Sequence, residues 1–210
     1  MNTERNSLTN IFLATGLVLI GYLLLKFEVF GPMAHFWLLI TGLLACKLTY
    51  GKTFILFKKP KFKDVGLVLI CLVLALVWAF GYVFIAHGLG ATTTDNPVTN
   101  SPDMWTFLEL IPALLGEELL VLVPFSLIAT HLAKNGKGNQ GTLVLLVLAS
   151  SLIFGALHLP VYQWNWAQAV IAVGLVRTFF TYAYLKSKNI LPAFATHLLY
   201  DSLLILFSMV

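Results

Sequence analysis

The chain has 210 residues, of which 59% are apolar and 10% carry a charge, and its mean hydropathy is +0.89. Soluble domains carry about 25% charged residues, so this composition excludes a soluble globular protein and indicates a polytopic membrane protein. Basic connections between the apolar stretches account for the formal net charge of +4. That charge therefore does not indicate a nucleic-acid partner.

Seven apolar stretches follow one another, each close to the length of about 20 residues that a membrane-spanning helix needs. They cover residues 8–25, 35–50, 63–89, 105–132, 142–159, 164–186 and 190–209. We therefore predict an all-α, polytopic membrane helical bundle of about seven transmembrane helices, with residues 1–210 as a single membrane domain. A polar connection at 91–103 separates three accessory helices within 1–90 from a four-helix core within 104–210.

Basic residues mark one side of the predicted bundle. They precede the first stretch and occupy the second, fourth and sixth connections: Arg5, Lys52, Lys58, Lys59, Lys61, Lys63, Lys134, Lys137, Lys186 and Lys188. The third and fifth connections contain neither Lys nor Arg, and Lys26 falls on the opposite side. Because Lys and Arg are enriched in cytoplasmic connections, we predict that the N-terminus is cytoplasmic.

Two adjacent glutamates, Glu117 and Glu118, lie inside the fourth apolar stretch. A carboxylate at the bilayer centre costs at least ~2.5 kcal/mol, so ionisable residues at this depth are candidates for a functional site. Neighbouring helical residues point about 100° apart, which predicts that one glutamate faces a cavity while the other pairs with a cation. Pro112 and Pro124 flank the pair and are expected to loosen the helix around it.

The later apolar stretches contain four more ionisable residues: His158, Arg177, His197 and Asp201. Counting about 1.5 Å per residue places them and the glutamates at depths where four helices could bring them together. His197 and Asp201 share a helix face because they are four residues apart, and the same holds for Phe154 and His158. A carboxylate in a dry pocket can act as a base toward water. Neutral imidazoles can orient that water, stabilise an oxyanion or hold a divalent metal.

At these positions the chain resembles the CAAX-protease and bacteriocin-processing family of intramembrane proteases, also called ABI or CPBP. The family pattern consists of EExxxR, FxxxH and HxxxN/D on separate helices. The corresponding segments here begin at Glu117, Phe154 and His197, in the same order and with the same spacing. The chain departs from the pattern at Leu122, where the family has arginine. Arg177 is our candidate replacement, and we predict that it pairs with Glu118 or Asp201.

The resemblance covers residues 111–206 and implies an intramembrane endopeptidase whose catalytic core is the four-helix segment. Glu117 would activate the attacking water and His158 would help to hold it. His197 and Asp201 would polarise the scissile carbonyl and stabilise the oxyanion. Residues in a structural or supporting role would be Glu118, Arg177 and Phe154. The resemblance is compatible with a divalent metal such as Zn²⁺, bound by Glu117, His158 and His197, and equally with a glutamate-activated water and no metal.

Two other functional classes remain open at this point. Leu122 favours a non-catalytic family member that acts in bacteriocin self-immunity or as a membrane scaffold. Buried Glu, His, Asp and Arg are also typical of a small transporter, although these residues cluster at one depth instead of forming a chain across the bilayer. The expected partners are the lipid bilayer and a membrane-bound peptide or protein substrate. The expected location is the bacterial plasma membrane, which the chain would cross several times.

Overall fold

The computed structural model describes residues 7–96 and 102–209, with the side chain of Pro32 excepted. Arg5 and residues 97–101 of the polar connection therefore lie outside the described residues. Within these ranges there are seven α-helices and no strand: α1 (Ser7–Lys26), α2 (Trp37–Tyr50), α3 (Phe62–Gly88), α4 (Met104–Lys134), α5 (Gln140–Leu157), α6 (Gly174–Ser187) and α7 (Ile190–Ser208). A 3₁₀-helix at Gly31–Phe36 precedes α2, and a π-helix at Ala167–Val173 continues directly into α6.

The helices confirm the predicted fold class. Over the described part of the chain, seven helical segments are long and apolar enough to cross a membrane, and their bounds lie within a few residues of the predicted stretches. The sixth segment begins at Ala167 instead of residue 164. Its start is delayed because Gln163 and Trp164 adopt left-handed backbone conformations, with φ of 50° and 64°, which a right-handed helix cannot include.

Helix α4 begins at a side-chain cap. The Asp103 carboxylate accepts hydrogen bonds from the backbone N–H and the hydroxyl of Thr106, both at 2.9 Å. The Asp103 N–H in turn donates to the Thr106 hydroxyl oxygen at 3.1 Å. These bonds, the one from the Thr106 backbone above all, hold the pKa of the Asp103 carboxyl below its usual value. The cap satisfies a backbone donor that the first turn of a helix otherwise leaves open.

The chain forms two compact units. The first comprises Met1–Phe57 and Glu109–Leu146, and the second comprises Lys58–Leu108 and Val147–Val210. The units are interleaved along the chain, since α4 and α5 each contribute residues to both. They therefore do not coincide with the predicted division into 1–90 and 104–210, and the assignment of the whole chain to a single membrane domain stays a prediction.

In the first unit, small residues allow the helices to approach closely. Gly116 of α4 packs against α2, and a Cβ placed there would lie 2.5 Å from the Leu38 Cβ and 2.7 Å from the Leu39 backbone nitrogen. Nearby, Leu119 packs against Gly42 of α2. Small interface residues are typical of membrane helices because van der Waals packing drives their association. The residue directly before the glutamate pair is thus fixed against a neighbouring helix.

In the second unit, α3, α6 and α7 all pack against one another. Helix α5 joins them at Gly155, where a Cβ would lie 2.5 Å from the Ala169 carbonyl oxygen and 2.9 Å from the Gly174 Cα. Directly before Ala169, the Gln168 side-chain amide exchanges two hydrogen bonds of 2.7 Å with the Thr94 backbone. These contacts hold the π-helix that precedes α6 against its neighbours.

We expect the substitution Gly155→Ala to destabilise the protein by about 1–3 kcal/mol, because the added methyl group would overlap backbone atoms that cannot rotate away. Thermal denaturation of the purified protein in detergent would report the loss as a lower Tm. The matched control is Gly81→Ala in α3, since a Cβ there meets nothing within 4 Å. Alanine has the higher helix propensity, so the control should keep or raise the Tm. Equal Tm values for the two variants would contradict the packing described for Gly155.

Candidate active site

The adjacent glutamates lie in the first unit on the part of α4 between its two prolines, and they differ in exposure. Glu118 is fully buried, whereas Glu117 is partly accessible. Tyr22 of α1 lies close enough to Glu117 for the carboxylate charge to act on the phenol. The difference between the glutamates follows from helix geometry, because consecutive side chains point about 100° apart. A partly accessible carboxylate can reach a water molecule, while a fully buried one is suited to a structural interaction.

The prolines weaken the α4 backbone on either side of the glutamates. Pro112 and Pro124 both lie inside the continuous helix Met104–Lys134. Proline has no N–H, so the carbonyls of Leu108 and Leu120 do not receive the hydrogen bond that an α-helix supplies. The glutamates fall between these two interruptions. The sequence predicted a loosened helix here, and in the structure α4 continues through both prolines.

His158 follows the last turn of α5 in the second unit, and its proton position can be inferred from its partner. The Nδ1 atom lies 2.9 Å from the Phe154 carbonyl oxygen. A carbonyl can only accept, so Nδ1 carries the hydrogen and donates it. In the neutral imidazole, Nε2 then carries a lone pair that can accept a hydrogen bond from water. The His158 ring also packs against the Phe154 ring, with the centroids 4.5 Å apart.

His197 lies on α7, nearly buried among aromatic rings. It stacks on Phe180 with centroids 4.5 Å apart and an interplanar angle of 26°, and it meets Phe154 edge-on at 6.2 Å. Its Nε2 lies 3.7 Å from the Asp201 Oδ2. That distance allows electrostatic attraction when the ring is protonated but exceeds the range of an N–H···O hydrogen bond. Stacking on Phe180 therefore restricts the ring orientation more than the contact with Asp201 does.

Arg177 lies on α6, one turn after the π-helix, and it is fully buried. Its guanidinium carbon is 5.1 Å from the centroid of the Phe154 ring and 5.8 Å from that of Phe180. An aromatic face attracts a cation at such distances. The guanidinium and the His197 imidazole thus contact the same two phenylalanines.

Most of the predicted site residues meet in the second unit. Phe154 contacts His158, His197 and Arg177, and Asp201 adjoins His197. Glu117 and Glu118 belong to the first unit. The predicted pairing of Arg177 with Glu118 or Asp201 stays a prediction.

Two contacts of this site were not predicted from the sequence. Phe180 packs against both Arg177 and His197, and a signal for it exists, because a residue three positions after Arg177 shares its helix face. Tyr22 near Glu117 has no such signal, since it belongs to a helix without a motif.

Metal binding needs three or more suitable side chains together. Across residues 7–96 and 102–209, no group of three or more His, Cys, Asp or Glu side chains is arranged to hold a metal ion. Of the predicted site residues, the second unit supplies the imidazoles of His158 and His197 and the carboxylate of Asp201, with His197 and Asp201 3.7 Å apart. The predicted ligands Glu117, His158 and His197 belong to different units, so the metal site stays a prediction.

The helices and the polar cluster together define an integral membrane protein with ionisable side chains inside its membrane-spanning segments. A family model described as type II CAAX prenyl endopeptidase, Rce1-like, matches residues 100–203, and through that region the chain belongs to this family. The match contains all three motif segments and confirms the resemblance, whereas α1, α2 and α3 precede it. No curated protein and no solved structure matched the chain.

We expect Arg177→Lys to lower the Tm, because an ammonium group keeps the charge but loses the planar surface that packs against two rings. Arg177→Leu should lower the Tm further or abolish activity, since it removes the cation from the cluster. Phe84→Leu is a suitable control for general effects, because Phe84 in the same unit is 81% exposed. The Tm and the cleavage rate would both be measured for each variant. An Arg177→Leu protein with parental stability and activity would rule out a supporting role for this arginine.

Proposed function

We propose that the chain is an intramembrane endopeptidase that hydrolyses a peptide bond of a membrane-associated peptide or protein. The main support is the family match over residues 100–203, which includes the glutamate pair, the FxxxH segment and the HxxxD segment in order. The partial exposure of Glu117 and the inferred tautomer of His158 are compatible with hydrolysis by an activated water. The Glu117 carboxylate can accept a proton, and the His158 Nε2 can accept a hydrogen bond.

In the proposed reaction, Glu117 accepts a proton from water while the water oxygen bonds to the carbonyl carbon of the scissile peptide. The carbonyl π electrons move onto its oxygen and give a tetrahedral oxyanion. The carbon–nitrogen bond then breaks, the oxyanion returns its electrons to form a carboxyl group, and the proton held by Glu117 passes to the leaving amine. Water and one peptide bond are consumed, and one carboxyl and one amine terminus are formed.

The histidines have distinct proposed roles. His158 would accept a hydrogen bond from the attacking water at Nε2, since its Nδ1 proton is committed to the Phe154 carbonyl. His197 would donate a hydrogen bond from its ring to the oxyanion, with the Asp201 carboxylate 3.7 Å from its Nε2. Glu118 and Arg177 would support the site without contacting substrate. This distribution of roles rests on the family match together with the contacts within each unit.

We expect Glu117→Gln to lower the cleavage rate by about 10²–10⁴-fold, because the amide retains the shape of the side chain but cannot accept a proton. Purified protein would be assayed on a panel of membrane-bound peptides in detergent and in bilayers. Glu109→Gln is the matched control on the same helix, since Glu109 is exposed and lies 3.7 Å from His35. Cleavage by Glu117→Gln at the parental rate would eliminate Glu117 as the base.

The same assay tests the alternatives. Leu122, buried at the position of the family arginine, favours a non-catalytic family member acting in self-immunity or as a scaffold. Failure of the parent protein to cleave any substrate of the panel would support that function. Loss of cleavage on chelation, with recovery on adding Zn²⁺, would assign the water to a metal. Activity that is indifferent to chelators would support activation by Glu117 alone.

We also propose that the N-terminus is cytoplasmic, that the membrane is a bacterial plasma membrane, and that residues 91–96 face the opposite side. The distribution of Lys and Arg supports this orientation. Ala91→Cys in intact cells should react with a membrane-impermeant maleimide, whereas Lys137→Cys should react only after the cells are opened. Background labelling should be low, because Cys46 and Cys71 are buried. The reverse pattern of labelling would invert the proposed topology.

A further inference from the structure

Two basic connections of the second unit are joined by one buried side chain. The backbone N–H of Lys58 donates to the Asn189 Oδ1, and the Asn189 Nδ2 donates to the Lys58 carbonyl, both at 3.0 Å. Asn189 also caps α7, since its Oδ1 accepts from the Leu191 N–H at 3.3 Å. Asn189 is 2% exposed. The segment before α3 and the turn between α6 and α7 are therefore held together through a fixed pair of hydrogen bonds.

The joined segments place many positive charges side by side. We call six exposed residues the lysine cluster: Lys58, Lys59, Lys61, Lys63, Lys186 and Lys188. The acidic residue within these segments is Asp64, which is buried and accepts a hydrogen bond from the Lys61 N–H at 2.8 Å. Like charges at a surface repel one another, more strongly at low ionic strength. The N-terminal ends of α3 and α7, where the helix dipoles are positive, also lie in these segments. They further favour a bound anion.

Lys188 occupies a position that disfavours its side chain. It ends α6 with a left-handed backbone, at φ 54° and ψ 37°. Glycine is the usual residue at such a helix end, because any Cβ is strained there. A lysine at this position adds charge to an already basic cluster and gives up backbone stability. Backbone strain that the surrounding structure maintains is a reason to look for a function.

The surroundings of the lysine cluster match the interface of a bilayer. Helices α3 and α7 begin there and α6 ends there, and all three are parts of candidate membrane spans. Phe62, between Lys61 and Lys63 in sequence, is 94% exposed. Lys186 lies over the Tyr182 ring, with Nζ 5.3 Å from the centroid. Basic side chains mixed with exposed aromatic rings at helix ends are typical of contact with lipid headgroups.

We propose that the lysine cluster is a binding site for the headgroups of anionic phospholipids in the membrane that surrounds the protein. The phosphate groups offset the repulsion between the lysines, and the acyl chains lie along the apolar faces of the adjoining helices. Basic pockets between membrane helices bind such headgroups for this reason. The inference uses no residue of the proposed active site, so it stands independently of the endopeptidase proposal.

The test measures the Tm of the full-length protein in neutral detergent with increasing phosphatidylglycerol or, for comparison, zwitterionic phosphatidylcholine of the same chain length. We expect phosphatidylglycerol to raise the Tm and phosphatidylcholine to have little effect. Lys58→Gln/Lys188→Gln should lower the apparent affinity for phosphatidylglycerol about 25-fold, at roughly fivefold for each lysine. The matched control, Lys134→Gln/Lys137→Gln, removes the same charge from another basic connection and should retain the parental affinity.

A single substitution separates lipid binding from fold stability. Lys188→Gly should raise the Tm in detergent alone, because glycine relieves the left-handed strain, and should still weaken the response to phosphatidylglycerol. Three results would overturn the proposal. They are an unchanged phosphatidylglycerol response in Lys58→Gln/Lys188→Gln, an equal loss in the Lys134→Gln/Lys137→Gln control, and the same rise in Tm with inorganic phosphate as with the lipid.

Discussion

A charged group in the hydrocarbon core of a bilayer has no water to bind, so it must find its partners within the protein. This constraint determines the surroundings of the polar residues in the later helices. His158 donates to a carbonyl of its own helix, and Arg177, fully buried, lies against two aromatic faces. Close helix packing accompanies these contacts, since Gly116 and Gly155 directly adjoin Glu117 and Phe154 in sequence. Polar chemistry and small-residue packing are therefore two consequences of the same requirement.

In the second unit, aromatic rings provide many of the contacts of the buried ionisable side chains. The face of a phenylalanine ring attracts a cation and yet costs nothing to bury in an apolar environment. Phe154 and Phe180 can thus surround Arg177 and His197 without adding further polar groups that would need partners of their own. A leucine at either position would fill a similar volume but would present no negative face. The phenylalanine of the FxxxH segment accordingly has a physical role beside the histidine.

The membrane spans could be predicted from sequence because bilayer thickness fixes the length of an apolar helix. Motif spacing also predicted that His158 shares a helix face with Phe154, and that Asp201 shares one with His197, since residues four apart lie on the same face. Phe180 shares a helix face with Arg177, three residues earlier, but that spacing alone does not distinguish a site residue among the 16 phenylalanines of the chain. The π-helix before α6 has no compositional marker either. The interleaved units arise from contacts between distant segments, which local periodicity does not encode.

The two glutamates have different surroundings because they are adjacent residues of one helix. Side chains about 100° apart cannot both enter one cavity, and here Glu118 is fully buried while Glu117 keeps partial access. Leu122 lies four residues after Glu118 on the same face and is also buried, so an arginine at that position would have met Glu118 directly. In this chain that surface is apolar, so the cation that we predict for Glu118 would come from another helix. Arg177 is the arginine that the sequence places within an apolar stretch, since the chain's other arginine, Arg5, precedes them all. Moving the cation from the glutamate helix to α6 would make the site depend on the packing of α6, and hence on the glycine contact between α5 and Gly174.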